Sequence, residues 1–440
     1  MIGIDGALLV AALVYVLRGE LEIAKDWVRP GSLSAMMVAN VALFSFRLIA
    51  SRDAYFLAGG VPRRQSSANM AAGLGVAATL LVPHLVFGYY DAVQYNLITT
   101  VFQDEDVAAA ASSSSSPAAP PATVLGNGGT VPSTTSAESV PPAIWDGLDR
   151  LNILLLGGDS GAGRSGIRTD TMIVVSIDPD SGDIAMFSVP RNFARVPLPP
   201  GHGIWDCNCF PKLLNDLYIE GAQRPEAFPG PGAPEVNAIK GGIGELLGVP
   251  IHYYMLVTLD SFVGIVDALG GVEMDVQFRI VDEIYPHEDG VTVESVAIEP
   301  GLQTLDGHFA LAYARIRRHA DDYARMNRQR CVLEALVKQS NPAEMVRAYP
   351  RIAAVLEDTL LTDIPISRLP DFIDLLPKVD TERITTIRFI PPTYVAGLDE
   401  RGKDIPDVDR IRQDVQVAMA NPSAVAVAEL GLEALGETCG

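Results

Sequence analysis

Two aspartates in the stretch LNILLLGGDSGAGRSGIRTDTMIVVSI, residues 151–177, have the spacing to act together on a phosphate. Asp159 ends one apolar strand pattern and Asp170 begins the next. If the two strands are neighbours, both carboxylates meet at one edge of a sheet. Close carboxylates repel unless a cation lies between them, and hard oxygen ligands favour Mg²⁺. Aspartates at loop ends more often cap turns, so that alternative stays open.

The glycines between these aspartates do not predict a dinucleotide site. Gly161, Gly163 and Gly166 have GxGxxG spacing, but a dinucleotide fold requires a helix to follow them. The following residues, 169–177, are β-branched and apolar, and they predict a strand. We therefore interpret the glycines as a loop that joins two strands.

A dense group of arginines supplies the opposite charge. The segment SVPRNF places Arg191 just after a strand pattern, and LAYARIRRHADDYARMNRQR contains Arg315, Arg317, Arg325 and Arg328. On a helix, Arg325 and Gln329 share one face. Guanidinium groups stay charged and bind phosphate oxygens in pairs, as a pyrophosphate site requires. The alternative is a structural network of salt bridges with the aspartates at positions 321 and 322.

The overall charge makes this arginine group unusual. The 440 residues carry 54 acidic and 33 basic side chains, for a net charge of −21. Such a chain has no general basic field for nucleic acid, so we expect no nucleic-acid partner. An anionic ligand must be bound by a local arginine cluster.

The N-terminal region, residues 1–103, is predicted to hold two to three transmembrane helices. Residues 34–50 and 70–90 are nearly uncharged and about long enough to cross a bilayer, and residues 4–17 form a shorter apolar segment. Arginines at positions 52, 63 and 64 place their loop in the cytoplasm and everything after residue 90 outside. The prediction is a multi-pass cell-membrane protein with an extracytoplasmic catalytic domain. A buried helical hairpin is the alternative.

The remaining chain divides into three parts. Residues 104–143 are rich in Ala, Ser and Pro, which predicts a disordered linker. Residues 148–345 alternate strand and helix patterns and predict an α/β catalytic domain with helices covering a central sheet. Residues 346–440 are interpreted as a C-terminal extension of that domain, with a strand expected near residues 384–390.

The four cysteines follow the predicted membrane region, where thiols usually pair. Cys207 and Cys209 are separated by one residue, which we judge too close for a bridge between them. Each is expected to join Cys331 or Cys439, with the connectivity open. A CxC metal site is the rival interpretation.

Taken together, the segments ILLLGGDS, RTDTMIVVSIDP, FSVPRN, LVTLDSFVGIVDALGGVEMDV and LDGHFALAYARIRRHADDYARMNRQR resemble the LytR-CpsA-Psr family of cell-envelope phosphotransferases. The resemblance implies an αβα sandwich with a central mixed or antiparallel sheet and an apolar channel for a polyprenyl tail. It implies transfer of a glycopolymer from a polyprenyl-pyrophosphate carrier to a peptidoglycan hydroxyl at the membrane, with Mg²⁺ as cofactor.

The resemblance also assigns roles to individual residues. Asp159 and Asp170 are expected to hold the magnesium ion, and no single residue is identified as the general base. The predicted catalytic residues are Asp159, Asp170, Arg191, Arg315 and Arg317. The predicted substrate-binding residues are Arg168, Lys212, Arg325, Arg328 and Gln329.

Two other functions remain open at this stage. A pyrophosphatase would act on the same lipid with water as the acceptor. A non-catalytic envelope regulator would bind the lipid carrier without turnover. The aspartate pair disfavours the regulator, because binding alone does not require a metal.

Overall fold

A computed structural model describes residues 20–57, 67–102, 145, 147–159, 166–201, 203–286, 292–316, 322–339, 342–378 and 384–420. Helices and strands alternate through the region after residue 150, as the sequence predicts. The helices are α1 (Glu20–Trp27), α2 (Pro30–Leu57), α3 (Ser67–Val101), α4 (Leu217–Gln223), α5 (Pro234–Leu247), α6 (Leu259–Leu269), α7 (Gly307–Arg315), α8 (Asp322–Gln339), α9 (Pro342–Thr359), α10 (Leu369–Leu375) and α11 (Val408–Ala420).

Six strands form the central sheet, in the order β11-β6-β1-β2-β3-β12. Strand β1 is antiparallel to β2 and parallel to β6, while β3 is antiparallel to β2 and parallel to β12, so the sheet is mixed. Its strands are β1 (Leu151–Asp159), β2 (Arg168–Ile177), β3 (Ile184–Ser188), β6 (Tyr253–Thr258), β11 (Leu360–Thr362) and β12 (Ile384–Arg388).

Both faces of this sheet are buried. Successive side chains of a strand point to opposite sides of the sheet, and side chains on each side pack against helices. Leu154 and Leu156 of β1 pack into a core with residues of α5 and α11, including Ile239 and Val415. On the other face, Leu151 packs with Leu375 of α10. Helices thus cover both faces, and the αβα sandwich is confirmed.

The segment after residue 345 belongs to this same sheet. Strand β12 pairs with β3 in parallel, and β11 pairs with β6. These two strands form the sheet edges, so residue 345 does not separate two structural units. The strand expected near residues 384–390 is confirmed as β12.

A smaller group of hairpins packs against α7 and α8. Strand β7 pairs with β10, and β8 pairs with β9, around a second core that includes Val266 and Val272. These strands are β7 (Val272–Val276), β8 (Ile280–Pro286), β9 (Val293–Ile298) and β10 (Gly301–Leu305). Four short strands complete the fold: β4 (Ala194–Pro197), β5 (Cys209–Leu213), β13 (Val395–Leu398) and β14 (Asp404–Pro406).

The N-terminal helices contact the sandwich directly. Lys25 of α1 forms an ion pair of 2.6 Å with Asp374 of α10. On α3, Gln94 donates to the Trp27 carbonyl and accepts a hydrogen bond from the Tyr349 hydroxyl of α9. Helix α9 also packs on α6. Within the described residues, one segment, Pro30–Asp53, is long and apolar enough to cross a membrane. The further predicted spans stay predictions, and residues 4–17 lie outside the described residues.

The predicted cysteine pairing is wrong. Cys207 and Cys209 form a disulfide with each other, with their Cα atoms 5.0 Å apart. That separation lies within the ordinary range for a disulfide, because the chain bends between the two residues. Cys331 is also disulfide-bonded, and Cys439 lies outside the described residues.

Candidate active site

A cavity of about 830 Å³ lies between the central sheet and helices α6, α7 and α8. Most of its wall is apolar, and the polar side chains come from the strand ends and from the ends of α7 and α8 that face them. The apolar lining is Leu155, Leu156, Gly157, Ile173, Leu213, Met255, Val257, Leu259, Phe262, Ile265, Tyr285, Pro286, Leu311, Ala314, Ile316, Val332 and Leu336. The polar lining is Arg168, Asp170, Thr171, Arg191, Asn215, Thr258, Asp282, Arg315, Arg325 and Gln329.

A β-bulge directs Asp170 into this cavity. Gly157 pairs with Thr171 and Gly158 pairs with Thr169, so Asp170 is an extra residue on β2. In a regular strand Asp170 would face the same side as Met172, which is buried in the opposite core. The bulge lets Asp170 and Thr171 both line the cavity.

Two side chains hold the Asp170 carboxylate in place. Arg191 Nη1 donates to Asp170 Oδ1 at 2.6 Å, and Asn215 Nδ2 donates to the same oxygen at 3.2 Å. Burial alone would raise the pKa of Asp170, but the charge and hydrogen bond of Arg191, the Asn215 hydrogen bond and the charge of Arg325 together lower that pKa below its usual value. Asp170 is therefore an anion fixed beside cationic groups.

A backbone hydrogen bond joins the two segments that carry Arg191 and Asn215. Arg191 lies between β3 and β4, and its carbonyl accepts a hydrogen bond of 3.1 Å from the Asn215 backbone N–H. Asn215 is buried and follows β5 in a short 3₁₀ turn. The segment PKLLND carries both Asn215 and the predicted substrate-binding residue Lys212. Of these two residues, Asn215 is the one that lines the cavity.

Along one face of α8, the lining of the cavity changes from charged to apolar. Arg325, Gln329, Val332 and Leu336 are spaced by four, three and four residues, so they lie along the same side of the helix. All four line the cavity, and Arg325 is buried. A ligand along this face meets a guanidinium at one end and aliphatic side chains at the other.

Arg315 is the last residue of α7, and Arg168 is the first residue of β2. The Arg315 guanidinium lies over the ring of Tyr285, with its Cζ 5.7 Å from the ring centroid. Arg168 is half exposed at the rim, and its Nε lies 3.4 Å from Asp216. The sequence analysis did not identify Tyr285, because it lies in β8, between the quoted segments and in none of them.

Two predicted substrate-binding residues lie outside the cavity lining. Lys212 is half exposed and forms an ion pair of 2.5 Å with Glu220. Arg328 is buried and donates to the backbone carbonyls of Tyr313 and Ile316 at the end of α7. Burial lowers the pKa of Arg328, and its geometry supports α7 instead of facing a ligand.

The two remaining predicted residues are only partly placed. The backbone of Asp159 lies directly opposite Arg168, at the sheet edge that carries Asp170, but its side chain lies outside the described residues. Arg317 also lies outside them. The two aspartate-bearing strands are neighbours, which is the condition that the sequence analysis set for the two carboxylates to meet.

Carboxylate oxygens are the donors that magnesium prefers. Asp170 supplies such a carboxylate, and its Oδ1 accepts the hydrogen bonds from Arg191 and Asn215. Within the described part of the chain, no three acidic, histidine or cysteine side chains cluster as a metal site. The donor type therefore fits magnesium, and a complete ligand set would need the Asp159 carboxylate and water.

The arrangement places one ordered anion and four guanidinium groups beside an apolar cavity. The profile of the LytR_cpsA_psr family matches residues 129–414, which contain all these residues. The chain belongs to the LytR-CpsA-Psr family. That membership confirms the resemblance on which the sequence analysis relied.

Relatives in the LytR-CpsA-Psr family have names of two kinds. The chain is 30% identical over 220 residues to the polyisoprenyl-teichoic acid–peptidoglycan teichoic acid transferase TagU of Halalkalibacterium halodurans, which covers 50% of this chain and 62% of that protein. It is 26% identical over 244 residues to biofilm regulatory protein A of Streptococcus mutans, covering 53% of this chain and 56% of that protein. The chain thus matches somewhat less than two thirds of the length of these relatives.

Solved structures of family members are also similar to the chain. The crystal structure of B. subtilis TagV aligns with a TM-score of 0.44 at 23% identity, covering 62% of this chain and 98% of TagV. The structure of the family protein YwtF (TagT) with bound octaprenyl pyrophosphate lipid aligns with a TM-score of 0.39 at 22% identity, covering 62% and 92%.

Proposed function

We propose that this protein is a glycopolymer phosphotransferase that uses a polyprenyl-pyrophosphate-linked glycan as donor and a peptidoglycan hydroxyl as acceptor. The acceptor oxygen attacks the phosphorus that carries the glycan. A new P–O bond forms, and the bond from that phosphorus to the polyprenyl phosphate breaks. The hydroxyl proton leaves to a base or to water, and the lipid departs as a monophosphate.

One observation carries this proposal: the guanidinium cluster opens directly into the apolar cavity. Arg191 and Arg325 face the polar end, while Val257 and Phe262 line the apolar part. A soluble phosphate ester would need only the charged end. A polyprenyl pyrophosphate has a doubly charged head and a hydrocarbon tail, and it matches both ends.

The charged residues can supply most of the catalysis. Phosphoryl transfer depends mainly on alignment of the reacting groups and on neutralisation of the charge on the transferred and leaving phosphates. Arg191, Arg315 and Arg325 come from three separate elements and would hold the diphosphate from different sides. Arg168 at the rim would contact the glycan-side phosphate as it accepts the new bond.

Asp170 has two roles in this scheme. Its charge keeps Arg191 in one orientation through the 2.6 Å hydrogen bond. With Asp159 it would also hold magnesium, which when bound supplies further charge neutralisation at the diphosphate. Asp159 and Asp170 can act as general base only to the extent that a metal does not occupy them.

We also propose attachment to the membrane, with the catalytic domain outside. Helix α2 exposes apolar side chains such as Val38 and Val41, which are 70% and 60% exposed. Exposed apolar surface of this kind is typical of contact with lipid. Because α3 packs on α9, the N-terminal helices hold the sandwich close to the bilayer that supplies a lipid-linked donor.

The test is a transfer assay with purified full-length protein in detergent. A radiolabelled polyprenyl-pyrophosphate-linked disaccharide would be the donor, and peptidoglycan fragments would be the acceptor. We expect label joined to peptidoglycan and an equal amount of polyprenyl monophosphate. Free sugar phosphate in place of linked product would indicate a pyrophosphatase. Binding of the donor without either product would indicate a regulator, as the name of the Streptococcus mutans relative suggests.

A further inference from the structure

The ring of Tyr285 contacts α7 at two residues that lie two turns apart. His308 and Arg315 are seven residues apart on this helix, so they lie on the same side and about 10 Å apart along its axis. The Tyr285 ring makes an edge contact with the His308 ring, with the centroids 5.8 Å apart and the planes at 83°. The same ring lies 5.7 Å from Arg315 Cζ. One side chain of β8 thus contacts both ends of α7.

The hairpin of β8 and β9 fixes this contact from both strands. Tyr285 and Glu294 are directly opposite each other in the β8–β9 register. Glu294 Oε1 lies 3.0 Å from His308 Nε2, so the two paired residues of the hairpin both contact His308. Tyr285 is only 2% exposed, and it lines the cavity together with Pro286. The ring therefore has little room to move away from Arg315.

We propose that Tyr285 is a positioning residue that holds the Arg315 guanidinium toward the diphosphate. This proposal rests on the proposed function. The face of an aromatic ring attracts a guanidinium without neutralising it, whereas a carboxylate would compete with phosphate for its N–H groups. The ring thus orders Arg315 without neutralising its charge. Because Tyr285 also forms cavity wall, one residue links the lipid channel to the phosphate site.

A purely structural role for Tyr285 makes a different prediction. If the ring only fills space in the core and the cavity wall, its loss would weaken lipid binding whether or not Arg315 is present. If the ring acts through Arg315, loss of the ring should weaken lipid binding only in protein that retains Arg315. A double-mutant cycle separates these cases, because residues that act through each other give non-additive effects.

The experiment measures the Kd of octaprenyl pyrophosphate for full-length protein in detergent micelles. Tyr285→Leu, Tyr285→Phe, Arg315→Ala and the double variant Tyr285→Leu/Arg315→Ala would be compared with wild type. We expect Tyr285→Leu to weaken binding about three- to tenfold, as loss of a partly buried cation–π contact would. Tyr285→Phe keeps the ring and should recover most of that affinity. Tyr285→Leu should add no further loss to Arg315→Ala.

Phe262→Leu is the matched control, because Phe262 lines the apolar part of the cavity. Its effect should be the same factor in the wild-type and Arg315→Ala backgrounds. Equal losses from Tyr285→Leu in both backgrounds would overturn the positioning role and leave the proposed function standing. Failure of wild-type protein to bind the lipid would instead reject the proposed function, and the positioning role with it.

Discussion

The Asp170 carboxylate and the Arg191 guanidinium meet at 2.6 Å, although one follows the first hairpin loop of the sheet and the other follows β3. The bulge at Asp170 makes this contact possible, because a regular strand would turn the carboxylate to the opposite face. Asn215 donates to the same Asp170 oxygen, so three separate segments converge on one atom. Loss of the charge at Asp170 would therefore disturb the arginine as well as any bound metal.

Asp170→Asn is expected to reduce transfer at least a hundredfold while the protein stays folded. The amide keeps the size of the carboxylate but loses the charge that orients Arg191 and would bind magnesium, and such electrostatic groups contribute about 10²–10³ in rate. Transfer of labelled glycan and circular dichroism would be measured together. Asp178→Asn, at the far end of β2, is the control and should retain transfer. Wild-type turnover by Asp170→Asn would remove this carboxylate from the mechanism.

The lowered pKa of Asp170 predicts how stability depends on pH. A carboxyl whose pKa is lower in the folded state stabilises the protein when ionised, so its contribution is complete above the unfolded-state pKa of about 3.9. The contribution is lost as pH falls through the lower folded-state value. We expect the difference in thermal midpoint between wild type and Asp170→Asn to be constant from pH 7 to about pH 5 and to shrink below about pH 4. A difference that grows on acidification would contradict the assigned direction.

Arg328→Met is expected to lower the free energy of unfolding by about 2–4 kcal/mol, because it removes hydrogen bonds from a charged donor to two buried carbonyls. Those carbonyls belong to Tyr313 and Ile316, which flank Arg315, so octaprenyl pyrophosphate binding should weaken as well. Chemical denaturation and lipid titration would measure the two effects. Arg347→Met replaces an exposed arginine on α9 and should change neither. Unchanged stability of Arg328→Met would show that these hydrogen bonds contribute little.

Val257→Trp is expected to fill part of the apolar cavity and to discriminate between lipids by length. Octaprenyl pyrophosphate should bind at least tenfold more weakly, since extra volume in a packed apolar site costs about 1–3 kcal/mol. Geranyl pyrophosphate, whose tail is short, should lose much less. Val293→Trp introduces the same side chain at an exposed position on β9 and serves as the control. Equal losses for both lipids would place the tail outside this cavity.

Much of the site follows from local periodicity. The strand patterns placed Asp159 and Asp170 at the ends of two successive strands, and the four-residue spacing of Arg325 and Gln329 placed them on one helix face. Arg328 is rotated by about 60° from that face, which is why its side chain reaches α7 instead of the cavity. The sequence pattern did not separate these arginines, since all of them lie in one basic segment.

The features that the sequence did not predict depend on contacts between distant segments. Tyr285 enters the site because the β8–β9 hairpin packs on α7, and nothing near Tyr285 in the sequence resembles a site. The Cys207–Cys209 disulfide depends on a bend whose geometry cannot be read from residue types. The edge strands β11 and β12 are short, and their places in the sheet are set by pairing with β6 and β3.

The face of α8 that changes from a charged to an apolar lining bears on product release in the proposed reaction. A lipid lying along Arg325, Gln329, Val332 and Leu336 has one favourable direction, head toward the guanidinium and tail toward the leucine. In the proposed reaction, cleavage would remove one of the two phosphates from the lipid and would leave the tail contacts unchanged. The product would then make fewer phosphate contacts at the charged end than a fresh donor, so a fresh donor would displace it and the monophosphate would return to the bilayer.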